Sequence, residues 1–240
     1  PQDFLGMLLQ PILWMVLFGV GMRSMLGTAT GSGESSYIAF MAPGIIALSA
    51  LGGAVAGGST WLNERLRGIV KEYLVAPIPR ISILAGNALS TVTKSLFQAF
   101  IIFMIALLMG AQLTSNPLGW LGSILLVIGF GLGFAGIAIG FASMTNNFGA
   151  YHSMIMLLNL PMLFLSNALY PLSTMPTWMR IASYINPTTY VIDGMRQMTL
   201  ANAAVLSDEY IPLWVCFAVI ALFAAVGMRL GLNAFKKSIQ

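Results

Sequence analysis

The chain is short of charge. Of its 240 residues 8% are Asp, Glu, Lys or Arg, against 58% hydrophobic, where a soluble domain carries about a quarter charged residues. A solvated surface cannot be made from this composition, so the sequence places the protein in a bilayer. Histidine and cysteine are nearly absent, with one of each. A lone cysteine, Cys216, excludes a disulfide within the chain and a cysteine-based metal site. His152 has no ligand partner in sequence and reads as a packing or interfacial residue. No Ser/His/Asp, paired-carboxylate or zinc spacing occurs, so nothing supports enzyme chemistry or a metal on this chain. The net charge is +4, but the basic residues lie in a few loops rather than along a stripe. That pattern fits membrane orientation and not nucleic acid.

What is abundant is apolar sequence, with a mean hydropathy of +0.87. A membrane span needs about 20 mostly apolar residues. The chain offers six such runs, near 4–22, 37–58, 83–110, 119–142, 149–169 and 211–231. The first has an acidic flank and no basic segment before it, so it reads as a span rather than a signal peptide. The chain opens at Pro1 without a methionine, and its true start is expected upstream. Residues 1–240 are expected to form one membrane domain. Its connections are an exposed Gly/Ser/Thr-rich loop at 23–36, a polar segment at 59–82, a tight turn at Asn116-Pro117, a short turn near 145–148, and a long outer segment at 170–205.

The 59–82 segment is the one long polar interruption in the first half. Leu62, Leu66, Ile69, Val70 and Tyr73 recur at helical spacing, with Glu64, Arg65, Arg67, Lys71 and Glu72 on the other side. Pro77 and Pro79 stop the helix, because proline lacks the N–H and pushes its predecessor out of the α region. Arg80 follows before the next apolar run. The pattern is an amphipathic helix, suited either to a solvated interface or to docking against a soluble partner. Gly68 lies within it, where two backbones can come close.

Lysine and arginine counts set orientation. With a cytoplasmic amino terminus, Arg65, Arg67, Lys71, Arg80, Arg229, Lys236 and Lys237 fall inside, and Arg23, Arg180 and Arg196 outside. Both termini and 59–82 are therefore expected to be cytoplasmic. Trp14, Trp120, Trp178 and Trp214 fall near the expected interfaces. Small-xxx-small pairs, Gly53/Gly57, Gly129/Gly133 and Gly136/Gly140, mark positions where spans can approach closely.

Several tempting patterns fail. Gly131, Gly133 and Gly136 match G-x-G-x-x-G but lie inside one apolar helix, without the strand a nucleotide site requires. Lys94-Ser95 ends like a phosphate loop, yet Ala88 and Thr93 stand where glycines are needed. Lys94 is still notable as a charge several residues into the third span. Such a group is a functional candidate, and its long stem also lets the amine reach the interface. The 16 methionines are scattered over all spans and read as adaptable filler. Asp193 and Arg196, at i and i+3, are spaced to pair on a helix.

The 170–205 segment carries Trp178, Ile181, Tyr184, Ile185, Tyr190, Val191 and Ile192, which a solvated loop would not expose. Pro171, Pro176 and Pro187 divide it into two short helices at the outer membrane boundary. The second is expected to start near Asn186-Pro187, with proline in its first turn.

Three stretches together resemble one family. NERLRGIVKEYLVAPIPRISILAGN resembles the cytoplasmic segment of type-2 ATP-binding-cassette exporter permeases, with Leu74, Val75, Pro77 and Arg80 filling its "LL-x-x-P-x-x-R" pattern. FLSNALYPLSTMPTWMRIASYINPTTYVIDGMRQMTL resembles that family's outer segment, through Pro171, Pro176, Trp178, Asn186, Pro187, Tyr190, Asp193 and Arg196. LLQPILWMVLFGVGM resembles its first span. The nearest subgroup is the drug-resistance and nodulation-type permeases. The family's amphipathic helix before the first span is missing from this sequence.

The resemblance implies an all-α membrane protein: six transmembrane helices, a cytoplasmic amphipathic coupling helix, and a short outer re-entrant or interfacial helical segment. It implies a prokaryotic inner-membrane exporter subunit that pairs with a second copy of itself or a homologous permease, amid membrane lipid, and with two cytoplasmic ATPase subunits. ATP and Mg would reside on those partners, with no cofactor on this chain. Glu64, Arg65, Arg67, Gly68, Lys71, Pro77 and Arg80 would form the ATPase-coupling segment. The few polar residues in the spans (Ser95, Gln98 and Asn159) favour an amphiphilic or hydrophobic substrate, drug or lipid-like. An exporter of a glycan or lipid-linked glycan remains open within the same family. An ion-coupled secondary transporter would want intramembrane carboxylates and inverted repeats, and neither is visible.

Overall fold

The computed structural model describes residues 9, 11–17, 34–70, 80–200 and 210–238. Residues 11–17 are helical. They are followed by α1 (Glu34–Leu66), α2 (Arg80–Leu108), α3 (Pro117–Met144), α4 (Phe148–Phe164), a 3₁₀ turn (Leu172–Thr174), α5 (Thr177–Ile185), α6 (Pro187–Thr199) and α7 (Leu213–Ser238). Among the described residues there is no strand, only an isolated bridge between Leu113 and Leu200. Helix is the form in which a chain in lipid satisfies its own backbone polar groups. Among the described residues four helices, α1, α2, α3 and α7, are long and apolar enough to cross a membrane, and α4 is a shorter apolar helix. The expected first span lies outside the described residues apart from residues 9 and 11–17.

Helix α3 is the central element. It packs against α7, α1, α2 and α6, as an apolar helix without a polar face should. Against α7 the backbones themselves touch. A Cβ on Gly136 would overlap the backbone of Gly227, one on Gly227 the carbonyl oxygen of Gly133, and one on Gly231 that of Gly136. Only glycine lets two spans approach this closely, so that dispersion replaces the missing hydrophobic drive. Phe134 packs edge-to-face against Phe130 and at a tilt against Phe223, with centroids 4.8 and 4.9 Å away, which fills the space beside the glycines.

Two differences from the sequence reading have physical causes. The second span does not stop at residue 58. Its helix continues to Leu66, so residues 59–66 extend α1 rather than forming a separate helix. The amphipathic helix expected through Tyr73 is interrupted at Gly68, whose φ of +79° is left-handed. That conformation is favourable only to glycine and ends helices. Residues 69–70 are helical again, and 71–79 lie outside the described residues. The fifth span is also shorter than 149–169. Pro161 lies inside α4, which ends at Phe164, where the Leu165 amide donates back to the Pro161 carbonyl at 2.8 Å. Residues 170–200 form the 3₁₀ turn and the two short helices that the prolines predict.

Candidate functional site

Two ends of the helix bundle carry the residues singled out by sequence. At the first, the ends of α1, α3 and α7 meet the start of α4 around a second, small core. It includes Trp61, Leu62, Val70, Tyr151, Ile155 and Phe235. Trp61 is 1% exposed. Its indole donates to Ser143 Oγ at 3.0 Å, and its ring lies 5.0 Å from that of Phe235. The Tyr151 hydroxyl donates to the Val55 carbonyl at 2.8 Å. Sequence reasoning missed Trp61, because a tryptophan in a polar stretch looks like an interfacial anchor. Its neighbour Leu62, on the expected apolar face, gave the only hint.

Arg65, one turn beyond Trp61, reaches the turn between α3 and α4. Its guanidinium donates to the Ser143 and Thr145 carbonyls and to Asn146 Oδ1. A planar fork with several donors suits such a cluster of carbonyls. Glu64 is half-buried, and Arg67 is exposed. Gly68 makes the left-handed break just after them. Arg80 begins α2, while Lys71 and Pro77 lie outside the described residues. The structure therefore brings Glu64, Arg65, Arg67 and Gly68 to one end of the bundle, beside the α3–α4 turn.

At the opposite end, Asn186 and Pro187 start α6. Asn186 is the N-cap, its Oδ1 accepting from the Thr188 amide at 2.9 Å, and Pro187 occupies the first turn. The same side chain donates through Nδ2 to the Met162 and Leu165 carbonyls at 3.2 and 2.8 Å. These are carbonyls that the end of α4 leaves without helical partners. One residue thus caps α6 and satisfies α4. Tyr190 donates its hydroxyl to the Tyr184 carbonyl at 2.6 Å, tying α6 to α5.

Asp193 and Arg196 reach different elements. Asp193 Oδ2 accepts from the Ile211 amide at 2.8 Å and from Gln197 Nε2 at 3.0 Å, which holds α6 to the chain entering α7. Burial pushes its carboxyl up from the ordinary value, while the Ile211 amide, the Arg196 charge and Gln197 pull it down. Arg196, 1% exposed, donates through Nε to the Phe40 carbonyl at 3.0 Å and through Nη2 to the Asn167 carbonyl at 2.6 Å. The spacing of Asp193 and Arg196 suggested a local pair. The arginine also joins α6 to α1 and to the segment after α4, and its charge acts on Asp193.

Trp178, Ile181 and Ile185 lie along one side of α5 and are all exposed, 67% for the tryptophan. A short helix with one apolar side and a buried Ser183 on the other has the form of an interfacial helix. His152 is exposed, its ring 5.8 Å from that of Tyr151. Among the described residues no three of His, Cys, Asp and Glu come together as metal ligands would.

Several membrane-length helices, buried glycine contacts and a polar network at each end define a multi-pass membrane protein whose buried polar groups tie its helices together. The sequence pattern of the ABC-2 type transporter family matches residues 1–200, and the chain belongs to that family. It is 32% identical over 200 residues to the ycf38 protein of Cyanophora paradoxa, covering 82% of this chain and 67% of that one. It is 26% identical over 235 residues to the daunorubicin resistance ABC transporter permease protein DrrB1 of Streptomyces coeruleorubidus, covering 97% and 81%. It is 27% identical over 220 residues to the inner membrane transport permease YadH of Escherichia coli strain K12, covering 90% and 82%. The protein is a transport permease subunit of this family.

Proposed function

We propose that the chain is the membrane-spanning subunit of an ATP-driven exporter that moves an amphiphilic or hydrophobic molecule, drug or lipid-like, outward across a prokaryotic cytoplasmic membrane. Separate cytoplasmic ATPase subunits, two per complex, bind ATP and Mg, and two permease chains face each other. Both termini are cytoplasmic. The observation that carries this reading is the length of α1. Its 33 residues extend about 50 Å at 1.5 Å per residue, against a hydrocarbon core of about 30 Å. The excess would project Glu64 beyond the membrane, with Arg67 just past the helix end, next to the α3–α4 turn that Arg65 holds. A soluble ATPase would dock on that end, and a movement of it would pass through Trp61 and Tyr151 into the spans. The drug-resistance relative supports an apolar substrate, as does the low polar content of the spans.

At the other end, α5 and α6 would cap the exit of the path between two chains. The test is co-purification with the ATPase subunit and measurement of substrate-stimulated ATP hydrolysis. The double exchange Glu64→Lys/Arg67→Glu is expected to abolish co-purification while the chain still inserts. Gly68→Pro is expected to abolish stimulation. Transport driven by an ion gradient, with no ATPase bound, would overturn the proposal. Trp178→Ala and Tyr190→Ala are expected to change stimulated hydrolysis with assembly intact. If they only lower the amount of assembled protein, α5 and α6 are an anchor and not an exit cap.

A further inference from the structure

We propose that the groove between α2 and α3 holds one straight acyl chain of a membrane lipid from the leaflet at the α6 end of the bundle, taken by its hydrocarbon and not by the charge of its headgroup. The site requires only that the spans cross a bilayer and does not depend on the exporter reading.

Depth fixes the leaflet. Helix α1 is largely apolar from Ile38 to Gly58, after which Ser59, Thr60 and Asn63 begin its polar end. Asn87 Nδ2 donates to the Gly57 carbonyl at 3.1 Å, so Asn87 marks one edge of the apolar layer on α2. At 1.5 Å per residue, Leu96 lies about 13 Å beyond that edge and Leu107 about 30 Å. The hydrocarbon core is about 30 Å thick. The groove, walled on α2 from Leu96 to Leu107, therefore runs from near the midplane to the far edge. Helix α3 gives the same depth. Val127, at the groove, lies about 15 Å from Pro117, where α3 begins. One leaflet contributes about 15 Å of hydrocarbon, half of the core, so the groove matches the half of the bilayer at the α6 end.

The groove is built in advance. Leu96, Phe100, Met104 and Leu107 recur along one side of α2, and Trp120 and Val127 of α3 line the other wall. Phe100, Met104 and Leu107 are exposed, whereas Ala99 and Val127 are buried. Trp120 meets Phe103 edge-on, with ring centroids 4.9 Å apart, and its indole donates to the Thr114 carbonyl at 2.9 Å. The Thr114 amide in turn donates to the Thr199 carbonyl of α6 at 2.8 Å, beside the bridge between Leu113 and Leu200. The mouth is thus tied to α6, and the groove exists before anything enters it, as binding sites usually do.

Width and polarity select the occupant. The groove holds about 420 Å³, and its α2 wall is about 16 Å long at the helical rise. The cross-section is then roughly 5 Å wide, against about 10–12 Å for a helix with its side chains. A helix from a second copy does not fit. Carbon atoms touch at about 3.5–4.0 Å, so one unbranched hydrocarbon chain fills the width and a methyl-branched chain does not. No charged residue lines the groove, and the connection from Met109 to Asn116 carries none. The polar side chains at the groove are already committed, Ser123 to the Gly119 carbonyl at 2.9 Å and Trp120 as above. The chain is recognised and the headgroup charge is not.

The test uses the full-length protein in nanodiscs of methyl-branched phosphatidylcholine, whose chains are too wide to compete. Straight-chain phosphatidylcholine is titrated in, carrying a photoactivatable group either beside the glycerol or at the chain end, and crosslinked peptides are mapped by mass spectrometry. Groove labelling is expected to saturate at a low fraction of straight-chain lipid, while labelling at Leu125, exposed outside the groove, rises in proportion. The glycerol-side probe is expected on Leu107 and Trp120, and the chain-end probe on Leu96 and Val127. Phosphatidylglycerol with the same chain is expected to behave alike. Leu107→Trp is expected to abolish the saturable labelling and Leu125→Trp to keep it. Groove labelling that only rises in proportion, the two probes in reversed order, a preference for one headgroup, or saturable labelling that survives Leu107→Trp would each overturn the proposal.

Discussion

The guanidinium carbon of Arg196 lies over the ring of Phe40, 3.5 Å from its centroid. The two residues are 156 positions apart in sequence, and the arginine also takes the Phe40 carbonyl. A guanidinium suits this place because it stacks and donates in its own plane at once.

Arg196→Met is therefore expected to take the charged donor from the buried Asn167 carbonyl and the link to Phe40, and to cost about 1–3 kcal/mol. Arg196→Lys keeps the charge but loses the fork and the stacking, and should lie between the two. Thermal melting in detergent measures both. If neither variant lowers the midpoint, the network has no structural weight.

Asn186 offers a cleaner dissection. Asn186→Asp keeps the acceptor that caps α6 but loses the donor to Met162 and Leu165. Asn186→Ala loses both, the cap alone being worth about 1 kcal/mol. The expected order of stability is wild type, then aspartate, then alanine. An aspartate variant as stable as wild type would show that the link to α4 contributes nothing.

The backbone contact of α3 and α7 predicts an unequal response among glycines. Gly227→Ala must push a methyl into the Gly133 carbonyl, and a sharp loss of folded protein is expected. Gly52 has open space around it, so Gly52→Ala should be tolerated or slightly stabilising, since glycine costs about 0.5–1 kcal/mol within a helix. Yield of monodisperse protein on size exclusion separates the two. Equal yields would mean that the helices can slide apart at no cost.

Orientation has its own test. In a Cys216→Ala background, Gly68→Cys should react with an impermeant reagent only from the cytoplasmic side and Thr174→Cys only from outside. The reverse pattern would invert the bundle.

The sequence disclosed much of this architecture, for specific reasons. Runs of apolar residues set the four long helices, because span length is fixed by bilayer thickness. Prolines set α5 and α6, because they act on their own neighbours. Glycine spacing on α3 marked the surface of close approach. The partner was not legible there, since a period identifies a side of a helix and not what lies against it. Gly227 and Gly231 on α7 carry the same spacing, and pairing them needed the fold. Arg65 and Arg196 show the same limit. Their charge was visible, but all their acceptors save Asn146 Oδ1 are backbone carbonyls, which every residue has and no residue type reveals. The break at Gly68 was hidden because the flanking pattern stays helical on both sides.

Helix α4 buries only Tyr151 and Ile155, while α3 and α7 are joined backbone to backbone and α6 is tied to α1 and to the chain before α7. The molecule is thus mechanically two-part: a stiff frame and one lightly held strut. Elements with few buried contacts are the first to move in any protein. The strut is pinned at its ends, by the Tyr151 hydroxyl on α1 and by Asn186 on its last carbonyls. Among the described residues its middle has few buried side chains to hold it, and the Tyr151 hydroxyl on the Val55 carbonyl links it to α1 like a lever on a hinged rod.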